Sequence, residues 1–249
     1  MQMKGCLLID NSNTRTKFVL CVVGKAFAIK TVPTKELSLQ RITEELSGWF
    51  FDRICVCSVV PDALAALREF AAGRPMIELS VNSAPGVDFS EYPGVATLGA
   101  DRVANVVAAV QQLPLPLVAV DAGTACTFDV VVQGDGLPRF VGGVIAPGLV
   151  AMADSLQSRT AMLPSIRQWK EGAVIGRCTQ EAMASAVRIG YPGMIDTILD
   201  EIERELDHEI NVVLTGGDAE FLHSALHRKC HLQPMLTIQG VALTAGLRL

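Results

Sequence analysis

The chain has 249 residues, of which 50% are apolar and 5% aromatic, and its formal net charge at pH 7 is −5. An acidic chain with few aromatic side chains and no basic stripe is not expected to bind nucleic acid. The longest apolar stretch, residues 103–120, is broken by Asn105, Gln111, Gln112 and two prolines, so neither a membrane span nor a membrane partner is predicted.

Cysteine usage and the start of the chain indicate the cellular compartment. The seven cysteines are odd in number and scattered, and the first residues lead into a strand pattern without a signal peptide. Disulfide frameworks are typical of exported proteins. The sequence therefore predicts reduced thiols and a cytoplasmic protein.

Residues 1–112 are predicted to form a first α/β lobe. Apolar and β-rich runs predict three antiparallel strands, the last over residues 25–33. Four further elements follow: a helix over 34–48, a buried strand over 53–60, a helix over 61–72 and a strand over 76–81. Three strands, a helix, a strand, a helix and a strand is an α/β order.

The segment Gly99-Ala100-Asp101-Arg102 stands at the start of an apolar helix predicted over residues 103–110. An acidic residue in the first turn suits the helix dipole, so one interpretation is a cap with a surface ion pair worth about 1 kcal/mol. The alternative is a carboxylate base beside a cationic side chain. The local sequence leaves both interpretations open.

A second predicted lobe covers residues 117–249, after a short proline-rich connector at 111–116. It opens with LVAVDAGTACTFDVVV, which predicts a buried strand, a tight turn and a second strand. Asp121 ends the first strand, Gly123 is expected to permit a backbone turn that a side chain would block, and Thr124 supplies a hydroxyl. Such a turn suits a phosphate and a cation, and an ordinary hairpin is the alternative.

The first lobe contains a second copy of this pattern. Aligning Asp10 with Asp121 places Ser12 opposite Gly123, and both copies have an apolar strand, an aspartate at its end and a second strand. Internal repeats bear on the whole architecture. The repeat predicts two similar lobes, each of which lends one loop to the same nucleotide.

The rest of the second lobe offers weaker signals. A glycine-dense run at 142–148 permits either close approach of a ligand or close packing of two elements. Thr179 is predicted to cap a helix over 181–190, which Tyr191-Pro192-Gly193 interrupts before it continues over 194–206. Histidines recur at 223, 227 and 231, where a solvated basic face is favoured over a metal site.

Eight motifs stand in one order along nearly the whole chain: IDNSNTRTKF, SVVP, YPGVATLGADR, VDAGTACTFD, GGVIAPG, LP, IGRCT and TGGD. Together they resemble the type III pantothenate kinases, of the acetate kinase, sugar kinase, Hsp70 and actin superfamily. The resemblance implies an α/β fold of two ribonuclease H-like lobes, each a β-β-β-α-β-α-β unit, with the nucleotide in the cleft between them. It also implies transfer of the ATP γ-phosphate to the pantothenate 4′-hydroxyl, the first step of coenzyme A biosynthesis.

The resemblance also assigns residues. Asp101 matches the proton acceptor, and the substrate-binding residues are Tyr92, Gly99, Ala100, Asp101, Arg102 and Thr179. Those for ATP are Asp10, Asn11, Ser12, Asn13, Thr14, Arg15, Thr16 and Lys17 in the first phosphate loop, Thr124 in the second, and Gly216 and Gly217 near adenosine. Asp121 matches the site of a monovalent cation, potassium or ammonium; Mg²⁺ accompanies ATP, and the family is typically a homodimer.

Two positions depart from the family pattern. Ser12 stands where the first loop usually has glycine, so it would carry strain of about 1 kcal/mol if its φ were positive. Cys178 stands where asparagine is common. Two other functions remain open: a non-catalytic relative that acts as an accessory factor for transcription, and a kinase of the same superfamily for another small molecule.

Overall fold

The structure is a computed structural model that describes residues 5–22, 25–166, 169 and 171–249, so residues 1–4 of the first predicted lobe lie outside it. The strands are β1 (Gly5–Asn11), β2 (Arg15–Val22), β3 (Lys25–Pro33), β4 (Phe51–Ser58), β5 (Met76–Glu78), β6 (Leu117–Ala122), β7 (Ala125–Val132), β8 (Arg139–Pro147), β9 (Asn211–Thr215) and β10 (His231–Leu232). The helices are α1 (Leu39–Glu45), α2 (Pro61–Ala71), α3 (Ala100–Ala109), α4 (Leu149–Arg159), α5 (Thr179–Leu206), α6 (Ala219–Ala225) and α7 (Leu236–Thr244).

The first sheet has the order β3-β2-β1-β4-β5. Strand β1 pairs antiparallel with β2 and parallel with β4, so it lies at the centre of the sheet. Both faces of β1 are covered, since Leu7, Leu8 and Ile9 are fully buried. This explains why the strand reads as a continuous apolar run rather than an alternating one.

The second sheet repeats this arrangement with the order β10-β9-β6-β7-β8. Its central strand β6 pairs parallel with β9, which pairs parallel with β10. Each strand has a counterpart at the same place in the first sheet, and the two helices α4 and α5 stand where the first repeat has α1. The prediction of a duplicated β-β-β-α-β-α-β unit is confirmed.

The chain divides into two compact units that are not continuous in sequence. One contains the chain up to Leu113, Val131–Val141 and Met235–Leu249, and the other contains Pro114–Val130 and Gly142–Pro234. In the first unit, α7 packs on α3, where Gly240 lies against the backbone of Ala104. The lobe bounds 1–112 and 117–249 stay a prediction.

Helix α5 differs from the prediction because it continues through Pro192. Its buried residues include Met183, Val187, Tyr191, Ile195 and Leu199, which recur every four residues on both sides of the proline. This continuous apolar stripe packs only if the helix persists, so tertiary packing outweighs the cost of a proline inside a helix.

The prediction that Thr179 caps α5 is wrong. Cys178 is the residue that precedes the helix, and no side chain there accepts a capping hydrogen bond. Thr179 is the first helical residue and is exposed. Helix α6 ends at Ala225, so His227 and His231 do not share a helix face with His223.

All seven cysteines are free thiols. Cys178 is exposed and Cys230 is half-buried, whereas the other five are buried. Burial raises the pKa of Cys6 and Cys230 to about 11 and that of Cys55 and Cys126 to about 12. The described helices include none that is long and apolar enough to cross a membrane.

Candidate functional site

The first loop connects β1 to β2 and exposes short polar side chains. Ser12 closes it twice, since its backbone N donates to Arg15 O at 3.2 Å and its Oγ donates to the same oxygen at 2.9 Å. Asn13, Thr14 and Arg15 are exposed. Outside glycine, Asp207 is the one described residue with a positive φ, so the strain considered for Ser12 does not arise.

Two residues of this loop face inward. Asn11 and Thr16 are 1% and 0% exposed, and Asn11 Nδ2 donates to Thr16 Oγ1 at 2.7 Å. Asp10 and Lys17 are paired in the β1–β2 register and are half-buried. The loop therefore has an exposed polar rim and a buried, hydrogen-bonded base.

Asp101 lies in the first turn of α3, as the sequence predicts. Its Oδ1 accepts a hydrogen bond from the backbone N of Arg102 at 2.8 Å. Burial raises the pKa of the Asp101 carboxyl above its ordinary value, although the Arg102 N–H and guanidinium oppose this shift. The result is a half-buried carboxylate with a proton affinity higher than that of an exposed aspartate.

Gly99 makes room for this carboxylate. A Cβ built on Gly99 would lie 2.5 Å from Asp101 Oδ1 and 3.7 Å from Val59 Cγ1. Its φ of −60° is open to any residue, so the requirement for glycine is steric rather than conformational. The two neighbours in the GADR segment are thus matched to each other.

Phe140 on β8 joins two of the predicted substrate residues. Its buried ring meets the Tyr92 ring edge-on at 5.0 Å between centroids, and the Arg102 guanidinium lies 5.8 Å from its centroid. Phe89 packs on the same ring at 5.4 Å. The sequence did not reveal Phe140. About forty residues separate it from the GADR segment, and its local pattern is that of an ordinary buried strand residue.

In the other unit, the second loop connects β6 to β7. Asp121 is half-buried at the end of β6, and Gly123 N donates to Ala125 O at 3.0 Å. Gly123 has no positive φ, and a Cβ there would lie 3.6 Å from Asp121 Oδ1, an ordinary contact. The expectation that this turn requires glycine is therefore wrong, and the serine at the equivalent position 12 fits for the same reason.

The turn after β9 lies directly against Asp121. Gly216 has a φ of +95°, and a Cβ there would lie 2.5 Å from both Asp121 Oδ1 and Ala122 O. Asp218 N donates to Ala122 O at 3.0 Å, and burial raises the pKa of the Asp218 carboxyl. This unit thus brings Asp121 and Gly216 together and adds Asp218, which the sequence did not single out.

The glycine-dense run on β8 serves close packing. A Cβ on Gly143 would collide with Phe128 O, and one on Gly148 would collide with Gly123 O. Gly148 precedes α4, so the start of this helix lies on the second loop. Close approach of two protein elements, one of the two interpretations of this run, accounts for both glycines.

The sequence resembles known proteins along most of its length. The sequence profile of the type III pantothenate kinases matches residues 6–201. The type III pantothenate kinase of Akkermansia muciniphila is 43% identical over 244 residues, which is 98% of this chain and 99% of that protein.

Two solved structures share the fold. One is a Campylobacter jejuni protein described as a conserved Baf family transcriptional activator, with a TM-score of 0.63 at 20% identity over 96% of this chain and 97% of that one. The other is a glucokinase from an Antarctic psychrotroph, with a TM-score of 0.55 at 13% identity over 97% and 98%. The profile and the close relative show that the chain belongs to the type III pantothenate kinase family.

Proposed function

We propose that this protein transfers the γ-phosphate of ATP to the 4′-hydroxyl of pantothenate, the first step of coenzyme A biosynthesis. The observation that carries the proposal is the 43% identity to a type III pantothenate kinase over 98% of the chain. The half-buried Asp101 at the start of α3 supports it, because a kinase that phosphorylates an alcohol uses a carboxylate that accepts the hydroxyl proton.

Asp101 is the proposed base. Phosphoryl transfer needs alignment and charge neutralisation more than covalent help. The Arg102 N–H fixes one oxygen of the carboxylate, which leaves the other to orient the hydroxyl and take its proton as the oxygen attacks phosphorus. The raised pKa strengthens the base, since proton transfer is most efficient when the pKa approaches the working pH.

The pantothenate site is proposed to include Tyr92, Gly99, Ala100, Arg102 and Thr179. Arg102 is the candidate partner of the pantothenate carboxylate, because a guanidinium binds a carboxylate with two parallel hydrogen bonds. Phe140 supports this assignment, since its ring contacts both Tyr92 and Arg102.

The ATP site is proposed to use both loops. In the first, the exposed rim of Asn13, Thr14 and Arg15 suits the phosphates, with Asp10, Ser12 and Lys17 beside it, whereas Asn11 and Thr16 shape the loop from inside. In the second unit, Thr124, Gly216 and Gly217 are the proposed contacts. Mg²⁺ is held mainly by ATP phosphates and water, as is usual for nucleotide-bound magnesium.

Asp121 is the proposed ligand of a monovalent cation, potassium or ammonium. Asp121 Oδ1 and Ala122 O both lie against Gly216, so oxygen atoms line this turn. An all-oxygen set fits a hard cation such as potassium. The cation would supply positive charge next to the phosphates.

The protein is further proposed to be a cytoplasmic homodimer. Exposed apolar side chains of the second unit, Ile145, Val150, Leu156, Ile175 and Ile189, support an additional interface. Sedimentation at twice the chain mass of 26.6 kDa is the expected result, and a monomer at micromolar concentration would contradict it.

The activity is tested by ADP release from ATP, Mg²⁺ and pantothenate, with potassium present and then replaced by sodium. The wild-type protein is expected to turn over in a potassium-dependent manner. Asp101→Asn is expected to lower kcat roughly 10²- to 10⁴-fold, the usual contribution of a general base.

Two outcomes would contradict the proposal. A folded wild-type protein without turnover on any acceptor would favour the non-catalytic relative. Faster turnover on a sugar or acetate than on pantothenate would favour another kinase of the superfamily. If Asp101→Asn is nearly as active as the wild-type protein, the proposed reaction still holds, but Asp101 is not its base.

A further inference from the structure

A chain of hydrogen bonds runs beneath the first loop. Ser58 Oγ is 2.6 Å from Asn11 Oδ1, and Asn11 Nδ2 is 2.7 Å from Thr16 Oγ1. Thr16 Oγ1 is 3.0 Å from Thr34 Oγ1, which is 2.7 Å from Ser12 O. The chain thus links four side chains from four segments, and its last member, Thr34, bonds a backbone carbonyl of the loop.

The protons in this chain have one consistent arrangement. A carbonyl only accepts, so the Thr34 hydroxyl donates to Ser12 O and must accept from Thr16. The Thr16 proton is then committed, so Thr16 accepts from the Asn11 amide, and Asn11 Oδ1 accepts from Ser58. Every bond points toward the loop, and aligned hydrogen bonds of this kind strengthen one another.

Thr34 has the largest share in this arrangement. Besides the side-chain bond to Ser12 O, its backbone N donates to Thr14 O at 3.1 Å. It is 7% exposed and follows Pro33 at the end of β3, so its position is fixed by the sheet. Thr34 therefore holds the backbone carbonyls on both sides of Asn13.

The other end of the chain lies under the proposed substrate helix. Val59, next to Ser58, donates its backbone N–H to Asn11 O at 3.1 Å. Its Cγ1 lies 3.7 Å from the position of a Cβ on Gly99, beside Asp101. The hydrogen-bonded layer thus underlies the proposed phosphate loop and, through Val59, lies next to the start of α3.

We infer that Thr34 and Ser58 are positioning residues of the kinase, which hold the Ser12–Thr14 carbonyls so that the loop N–H groups are presented to the ATP phosphates. This inference rests on the proposed function. Thr34 holds the loop directly through the carbonyls of Ser12 and Thr14. Ser58 acts on it through Asn11 and Thr16.

The test compares Thr34→Val, which keeps the shape and removes the hydroxyl, with Thr34→Ser, which keeps the hydroxyl. Thr34→Val is expected to weaken ATP·Mg²⁺ binding about tenfold by calorimetry, since it leaves a buried donor and acceptor unpaired. KM for pantothenate is expected to stay unchanged. Thr34→Ser and Thr43→Val are expected to bind ATP within about twofold of wild type, because the hydroxyl of Thr43 bonds only within α1.

Amide hydrogen exchange without ligand supplies a second readout. Thr34→Val is expected to speed exchange at residues 11–16, and Ser58→Ala is expected to do so to a smaller degree, because it removes the first donor of the chain. Unchanged exchange and unchanged ATP affinity in both variants would overturn the inference, as would equal losses in Thr34→Ser and Thr34→Val. If wild type binds ATP but does not phosphorylate pantothenate, the proposed function fails while the exchange experiment still decides the role of Thr34.

Discussion

Asp101 combines burial with a helix N-terminus, and these two features have opposite effects on its ionisation. Burial raises the pKa of the carboxyl, and the Arg102 N–H and charge lower it, with burial the larger effect. The ionised carboxylate that the proposed base needs is therefore disfavoured by the fold. A catalytic residue that costs stability in its active form is a common trade-off.

Asp101→Asn is expected to raise the melting temperature at neutral pH while it lowers activity. Because the pKa is higher in the folded chain than in the unfolded one, the ionised form destabilises the fold above the folded pKa. This loss disappears below the unfolded value of about 4. Thermal unfolding of both proteins from below about pH 4 to pH 8 measures it, and an unchanged or lower melting temperature of Asp101→Asn at pH 8 would contradict the expectation.

Gly216 and Gly217 form a matched pair for a stability test. Gly216→Ala is expected to lower the free energy of unfolding by about 2 kcal/mol, because its φ is +95° and a Cβ would press on Asp121 and Ala122. Gly217→Ala is expected to change it by less than about 0.5 kcal/mol, since no atom lies within 4 Å of its Cβ position. Urea unfolding distinguishes them, and equal effects would refute the steric argument.

Sequence alone placed Asp101 in a helical first turn and Asp10 and Asp121 at strand ends, because these depend on local pattern. It did not reveal Phe140 or Asp218, which reach their neighbours only through the fold. It also overrated Gly123, since whether a turn demands a positive φ is decided by the backbone and not by the presence of glycine.

At the scale of elements, α5 shows where local rules fail. A Tyr-Pro-Gly sequence predicts a break, yet a buried stripe on both sides keeps the helix whole. Helix α5 also carries charged partners for the segment after α6. Arg228 contacts Asp196, Asp200 and Glu203 on it, with its own side chain 17% exposed.

Arg228→Met is expected to lower the free energy of unfolding by about 2 kcal/mol, because three neighbouring carboxylates lose their shared partner. Arg204→Met on the same helix is the control. Its pair with Glu201 is 67% and 62% exposed, so a change below about 0.5 kcal/mol is expected. Equal losses in denaturant unfolding would show that the Arg228 cluster adds no more than a surface ion pair.

At the scale of the whole molecule, the duplication was predictable because both sheets begin with the same strand, aspartate, turn and strand pattern. The equivalent order of the strands in the two sheets confirms it. The path of the chain between compact units was not predictable in the same way. Helix α7 belongs to the first unit although most of that unit's residues lie far earlier in the chain; it packs there on α3, and no local signal marks such a return.

Bound nucleotide is expected to stabilise the whole chain by mass action. ATP with Mg²⁺ should raise the melting temperature. Replacing sodium by potassium should raise it further, by about 2–4 °C for each kcal/mol of additional binding free energy. Asp121→Asn is expected to lose the potassium increment, whereas Asp101→Asn retains it. If potassium still raises the melting temperature of Asp121→Asn, Asp121 is not the ligand of the cation.

The distribution of thiols gives the protein a natural labelling position. Maleimides react with thiolates, and the buried Cys6, Cys55 and Cys126 have pKa values of about 11 or 12, so they are protonated as well as covered. Cys178 alone is exposed among the seven. A fluorophore attached there, without any engineered cysteine, would sit beside Thr179, one of the proposed pantothenate contacts, and its emission would test that assignment.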